Sequence, residues 1–199
     1  LLIFWNILPL YDTAGHALRD AVFQVTSVIS TSGFSTTDYN LWPPFAQTIL
    51  VLLMFVGGCS GSTAGSIKCG RILLLLRSST RSLLRLSHPR AVRVVKLDGK
   101  VVDEETLRTV SSFFLCFFAL LGVGCLVVSL DGYSLTTSFT AALGCLSNVG
   151  PGLDLVGPMG NFGLLSGFNK VFLSLLMLIG RLEIFPILLL FLPSTWRRS

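Results

Sequence analysis

An all-α integral membrane protein, built from repeated units of helix, re-entrant half-helix and helix, is the fold class this sequence predicts. Three observations carry the prediction. The chain of 199 residues is 52% hydrophobic and only 13% charged, against about 25% charged in a typical soluble domain, and its mean hydropathy is +0.76. Apolar runs near the roughly 20 residues needed to cross a bilayer recur along it. Two of the apolar segments are too short to span, and each runs directly into a glycine-bearing polar stretch.

Residues 1–10 are apolar and nearly end at Pro9, so they read as the exit end of a helix already in progress and the chain as a fragment. Asp12 and Thr13 offer N-cap chemistry to a helix from about Ala14 to Ile29. That helix is weakly hydrophobic, holding Arg19, Asp20, Gln24, Thr26 and Ser27. It runs into Ser30-Thr31-Ser32-Gly33-Phe34-Ser35, and Trp42-Pro43-Pro44 marks the next turn. Phe45 to Val56 is almost wholly apolar, followed by a Gly/Ser stretch from Gly57 to Ser66. About 18 Å of helix separates Phe45 from Gly57, which places the Gly/Ser stretch partway through a bilayer. Unwound backbone at that depth must be buried in protein or line a watery cavity.

An apolar run ends at Leu76, and residues 77–105 form a basic linker with an Asp98-Gly99 turn. Asp103-Glu104-Glu105 opens a helix, and Thr106 to Leu130 is long enough to span. After Asp131-Gly132, with Ser134 as N-cap, Leu135 to Leu146 is a second short helix, which ends in Ser147-Asn148-Val149-Gly150-Pro151-Gly152. A Gly-rich linker from Leu153 to Phe168 leads to a spanning segment, Val171 to Leu192, interrupted by Arg181, Glu183 and Pro186. The domains expected are residues 1–76, the linker 77–105 and residues 106–199.

Charge sets the expected topology. Ten of the 15 Lys and Arg lie between Lys68 and Arg108, and Arg197 and Arg198 close the sequence. The positive-inside rule explains this pattern better than nucleic-acid binding does, so no nucleic-acid partner is expected. Stretches 35–44 and 153–168 carry no Lys or Arg before the next helix and belong outside; the 77–105 linker and the C-terminus belong in the cytoplasm. Each short helix is then re-entrant. The five cysteines are odd in number and form no C-x-x-C, so no disulfide framework is implied.

Aligning Gly33 with Gly150 gives an offset of 117 residues, and Leu52-Leu53-Met54-Phe55-Val56-Gly57 aligns with Leu175-Leu176-Met177-Leu178-Ile179-Gly180 at an offset of 123. On this register Gly58 meets Arg181, so the Gly/Ser loop and the intramembrane arginine share a depth. A dehydrated cation needs several oxygen ligands, which irregular backbone and hydroxyls provide. The negative end of each short helix points at such a segment, which suits a cation.

These residues resemble the C-terminal half of the Trk/Ktr/HKT superfamily of potassium transport proteins, closest to the bacterial TrkH type. The matching stretches are Thr26 to Asp38, Gly57 to Thr63, His88-Pro89, Val95-Lys96-Leu97, Ser147 to Gly152 and Gly180-Arg181-Leu182-Glu183. The resemblance implies four pore repeats, of which the chain holds the third, with its first helix truncated, and the fourth. It implies a potassium filter at Thr31, Ser32, Gly33, Phe34, Asn148, Val149, Gly150 and Pro151. It also implies a gating loop at Gly57, Gly58, Gly61 and Gly65, contacted by Arg181. Ala64 and Ser66 stand where the family's loop has more glycine. The implied setting is the bacterial cytoplasmic membrane, with a homodimer and a cytoplasmic nucleotide-binding regulatory subunit (TrkA-like) as partners. The only ligand implied is transported K⁺, with no cofactor.

Other classes fit less well. No G-x-x-x-x-G-K-[ST] and no H-E-x-x-H occurs, and His16 and His88 are isolated, so no enzyme is expected. A passive membrane anchor leaves the two Gly-bearing units unexplained. The alternative pore readings are the pore subunit of a potassium-transporting ATPase and an Na⁺-permeable relative.

Overall fold

The computed structural model describes residues 1–59, 62, 65–87, 94–97 and 100–182. Gly61, Ala64, His88-Pro89, the Asp98-Gly99 turn, Glu183, Pro186 and the terminal arginines lie outside the described residues. Seven helices appear among the described residues: α1 (Leu2–Ile7), α2 (Ala14–Ile29), α3 (Pro44–Val56), α4 (Cys69–Ser87), α5 (Glu104–Ser129), α6 (Leu135–Leu146) and α7 (Gly167–Arg181). Short 3₁₀ turns punctuate the connections.

The helices form two groups. α1, α2 and α3 pack on one another, and α6 packs against α5 and α7, which also touch each other. The groups meet where α3 touches α6. Phe55, near the end of α3, joins them: its ring lies 6.2 Å from Phe117, 5.8 Å from Phe118 and 6.3 Å from Phe139, centroid to centroid. α5 is the one described helix long and apolar enough to cross a membrane, and its 26 residues reach about 39 Å. α3 and α6 are apolar but short. α6 is buried almost along its whole length, with Thr137, Ser138 and Thr140 among its enclosed residues.

α2, α3 and α6 fall where the sequence places them, and Ser134 caps α6 by accepting a hydrogen bond from the Thr137 N–H. Four features differ. Thr13 occupies the N-cap position of α2, but its side chain makes no cap hydrogen bond. α4 does not stop at Leu76. It continues through Arg77, Arg81 and Arg85 to Ser87, because Leu and Arg are good helix formers and one face finds partners on α5: Arg81 pairs with Glu104 at 2.6 Å and Arg71 stacks 4.2 Å above the Phe113 ring. The linker also contains one short antiparallel pairing that leaves the chain mostly helical: β1 (Lys96–Leu97) pairs with β2 (Lys100–Val101), Lys96 opposite Val101. Finally, α7 begins at Gly167, four residues before the expected start, because Ser166 accepts from the Asn169 N–H and caps it there.

Two glycines of α5 separate packing from conformation. A β-carbon on Gly124 would lie 2.8 Å from Leu176 and 3.0 Å from Ala142, whereas one on Gly122 would meet nothing. Overpacking a tight contact costs about 1–3 kcal/mol. Gly124→Val is therefore expected to lower the thermal stability of the detergent-solubilised full-length protein, while Gly122→Val leaves it within error.

Candidate ion-conducting site

The two glycine-bearing segments share one backbone. α2 ends at Ser30 (φ −76°, ψ −5°) and α6 at Ser147 (φ −80°, ψ −8°). Thr31 (φ 55°) and Asn148 (φ 56°) follow in the left-handed region, and Gly33 (φ 74°) and Gly150 (φ 101°) return to positive φ. Their hydrogen bonds correspond at an offset of 117. Ser30, Thr31 and Ser32 donate to the carbonyls of Thr26, Val28 and Ser27; Ser147, Asn148 and Val149 donate to those of Leu143, Cys145 and Gly144. Left-handed torsion is costly for a non-glycine residue, so finding it at both Thr31 and Asn148 shows a constrained geometry.

Side chains of the short helices hold the chain that follows. Ser27 donates to the Phe34 carbonyl at 2.6 Å, Gln24 to the Thr37 carbonyl at 3.3 Å, and Thr36 to Asp20 at 3.2 Å. Asp20, Gln24 and Ser27 are buried and lie four and three residues apart, hence on one face. In the second segment Thr140 Oγ1 accepts from the Leu153 N–H at 3.0 Å, and Thr137 and Ser134 donate to Asp154 at 2.7 and 2.6 Å. Thr137 corresponds to Asp20 at the same offset of 117, and each makes a carboxylate–hydroxyl hydrogen bond to the chain beyond its glycine, to Thr36 and Asp154, although those two partners are one residue out of register. These clamps were not foreseen. Their signal was the polar residues on α2 and α6, which alone look like weak hydrophobicity.

The segments touch. Gly33 has no room for a β-carbon, which would overlap the Val149 carbonyl and lie 3.1 Å from the Pro151 ring. Gly150 faces open space, so its glycine serves conformation rather than fit. Outside the contact, Asn40 bridges to Asp154 twice, donating to its carbonyl at 3.1 Å and accepting from its N–H at 2.9 Å. Ser32 and Phe34 are exposed, Phe34 to 72%, while Thr31 is half-buried and Val149 buried.

The Gly/Ser loop leaves α3 at Gly57 (φ 61°) and returns through Ser66 (φ 68°) and Lys68 (φ 72°). Its base is closed by bonds from the Ile67 N–H to the Phe55 carbonyl at 3.2 Å and from Cys69 to the Gly58 carbonyl at 3.1 Å. Ser66 Oγ donates to the Met54 carbonyl at 2.7 Å. Gly65 is buried, and a β-carbon there would overlap the Ser147 carbonyl. A β-carbon on Gly180, near the end of α7, would likewise overlap the Leu146 carbonyl. Carbonyls at 146, 147 and 149 are thus each approached by a glycine from a different element. Arg181 is the last residue of α7 and is exposed; among the described residues no hydrogen bond or ion pair joins it to the loop. Asn148 Nδ2 instead reaches α7, donating to the Met177 carbonyl at 3.1 Å.

Comparison with known proteins decides the family. The family described as "TrkH: Cation transport protein" matches residues 10–198. The chain belongs to this family. The Trk system potassium uptake protein TrkH of Salmonella typhimurium is 40% identical over 99% of the chain and 40% of its own length. Trk system potassium uptake protein TrkG of Escherichia coli K12 is 36% identical over 97% of the chain and 39% of its own length. A crystal structure of the potassium transporter TrkH from Vibrio parahaemolyticus superimposes with a TM-score of 0.89 at 37% identity, covering 98% of this chain and 42% of that one. This TrkH-family chain therefore spans about two-fifths of the length of these relatives.

The Ser134 and Thr137 hydroxyls hold the Asp154 carboxyl below the usual carboxylate range. A depressed folded-state pKa adds stability above the ordinary value of about 3.9, and that stability is lost as pH falls through the folded value. Asp154→Asn is expected to lower the melting temperature of the full-length protein at pH 7, with the gap from wild type closing as the pH falls below the ordinary carboxylate range and through the depressed folded-state value.

Proposed function

We propose that the chain supplies two of four quadrants of a gated, channel-like pore for potassium uptake across the bacterial cytoplasmic membrane. K⁺ is coordinated by residues 31–35 and 148–152, and the loop 57–66 with Arg181 forms the gate beneath them. The observation that carries this reading is the shared backbone of the two segments, which lie directly against each other at Gly33 and Val149. Positive φ at alternate residues turns backbone carbonyls out of any helical ladder, and carbonyls are what replaces the hydration shell of K⁺. The α2 and α6 C-termini add the negative ends of their dipoles. The potassium-uptake names of the relatives favour K⁺ as the cargo.

In this reading residues 1–76 and 106–199 are the third and fourth pore repeats, and the C-terminus lies in the cytoplasm. The complete protein pairs as a homodimer in the bilayer, and a cytoplasmic nucleotide-binding subunit docks beside the basic 77–105 linker. The gate acts through contact: Gly65 and Ser66 sit under the end of α6, so displacement of the loop removes the floor of the second segment.

Gly33→Asp is the direct test. The full-length protein carrying it should reach the membrane at wild-type level and lose rubidium uptake in potassium-starved cells by more than tenfold. Wild-type flux in that variant would refute the filter assignment.

A further inference from the structure

The cytoplasmic linker encloses a second site, unrelated to the filter. α4 runs antiparallel to α5: Arg71 stacks on Phe113, Leu74 packs with Leu107 and Val110, and Arg81 pairs with Glu104. A cavity of about 300 Å³ opens between α4 and the β1 end of the hairpin, with Leu76, Arg77, Arg81, Leu84, Val95 and Lys96 in its lining. It lies level with the first turns of α5, where Glu104, Glu105 and Arg108 precede Ser111-Ser112 and the apolar run from Phe113. That is the boundary between lipid headgroups and hydrocarbon when α5 spans.

The lining has two characters. Leu76, Leu84, Val94 and Val95 give apolar wall, and Arg77, Arg81 and Lys96 give three cations. Glu104 neutralises Arg81 with two bonds, at 2.6 and 3.2 Å. Among the described residues neither Arg77 nor Lys96 meets a carboxylate at ion-pair distance. Arg77 donates to the Lys96 carbonyl, which ties α4 to the hairpin and brings the two cations to one rim. A free inorganic anion would gain nothing from the apolar wall, and an acidic peptide would not need the level of the acyl boundary. A phosphodiester attached to hydrocarbon uses both.

We propose that this cavity binds the headgroup of an anionic phospholipid, with the phosphate on Arg77 and Lys96 and the glycerol backbone against Leu76 and Val95. It rests on the reading that α5 crosses the bilayer, and on nothing about the filter. Guanidinium and ammonium groups both bind phosphate through charge-assisted hydrogen bonds, and basic pockets beside membrane helices are a common headgroup site.

The test uses the full-length protein in nanodiscs of phosphatidylcholine with a minor share of phosphatidylglycerol, with retained lipid counted by native mass spectrometry. Wild type should retain phosphatidylglycerol selectively. Lys96→Gln should weaken that retention roughly fivefold, the effect of one interfacial cation, and Lys96→Arg should restore it. Lys96→Gln keeps the backbone bond to Arg77, and an unchanged melting temperature in lipid-free detergent checks its fold. Equal retention by wild type and Lys96→Gln would overturn the proposal. So would displacement of the lipid by millimolar inorganic phosphate, which marks a free-anion site. Unchanged lipid retention with weakened capture of a cytoplasmic regulatory protein would assign the cavity to a protein partner instead. Rubidium uptake by the same variant is read separately, so loss of the lipid with uptake retained leaves the pore reading intact.

Discussion

Backbone that leaves a helix inside apolar surroundings must have its N–H and C=O groups met by protein or by a polar path. The rest of this structure depends on that constraint. The chain departs from helix at Ser30, Gly57 and Ser147, in each case beside apolar sequence. At each departure named neighbours take up part of the polar groups among the described residues. Asp20, Gln24 and Ser27 bind the chain after Gly33; Thr137 and Thr140 bind the chain after Gly150; Ser66, Ile67 and Cys69 return bonds to the last carbonyls of α3 and the start of the loop. Hydroxyls on α2 and α6 are therefore structural before they are anything else.

The same constraint explains why glycine concentrates where it does. The end of α6 presents carbonyls at Leu146, Ser147 and Val149, and Gly180, Gly65 and Gly33 close on them in turn. A side chain at any of these three would push an element away from the segment. One stretch of four residues thereby fixes the relative placement of α7, the loop and the first segment. A loop movement of a few ångströms would be felt at Ser147, which is the physical basis on which the proposed gate would act on the proposed filter. Most of this packing uses backbone rather than side chains, so it is compact and intolerant of added atoms.

The sequence was informative where one physical signal dominated. Apolar content and flanking turns placed α2, α3 and α6, and the offset between Gly33 and Gly150 found the pair of segments whose torsions agree. It was less informative where two signals competed. The arginines of α4 suggested a solvated linker, yet their partners Glu104 and Phe113 lie over 20 residues away in sequence and sustain the helix. The β1–β2 pairing is two residues long on each side and leaves no periodicity to detect. Asn40 joins the two groups across 114 residues, a relation that only the fold reveals. The sequence places Gly65 in the Gly/Ser loop and aligns Gly180 with Gly57; that both are close-approach positions is visible only in the fold.

The central claim is that the apposed segments around Gly33 and Gly150 bind the cation through backbone oxygen. Anomalous diffraction from rubidium-soaked crystals of the full-length protein tests it directly. A peak within coordination distance of carbonyls from both 31–35 and 148–152 is the expected result. Well-occupied rubidium elsewhere, with none between these segments, would contradict it.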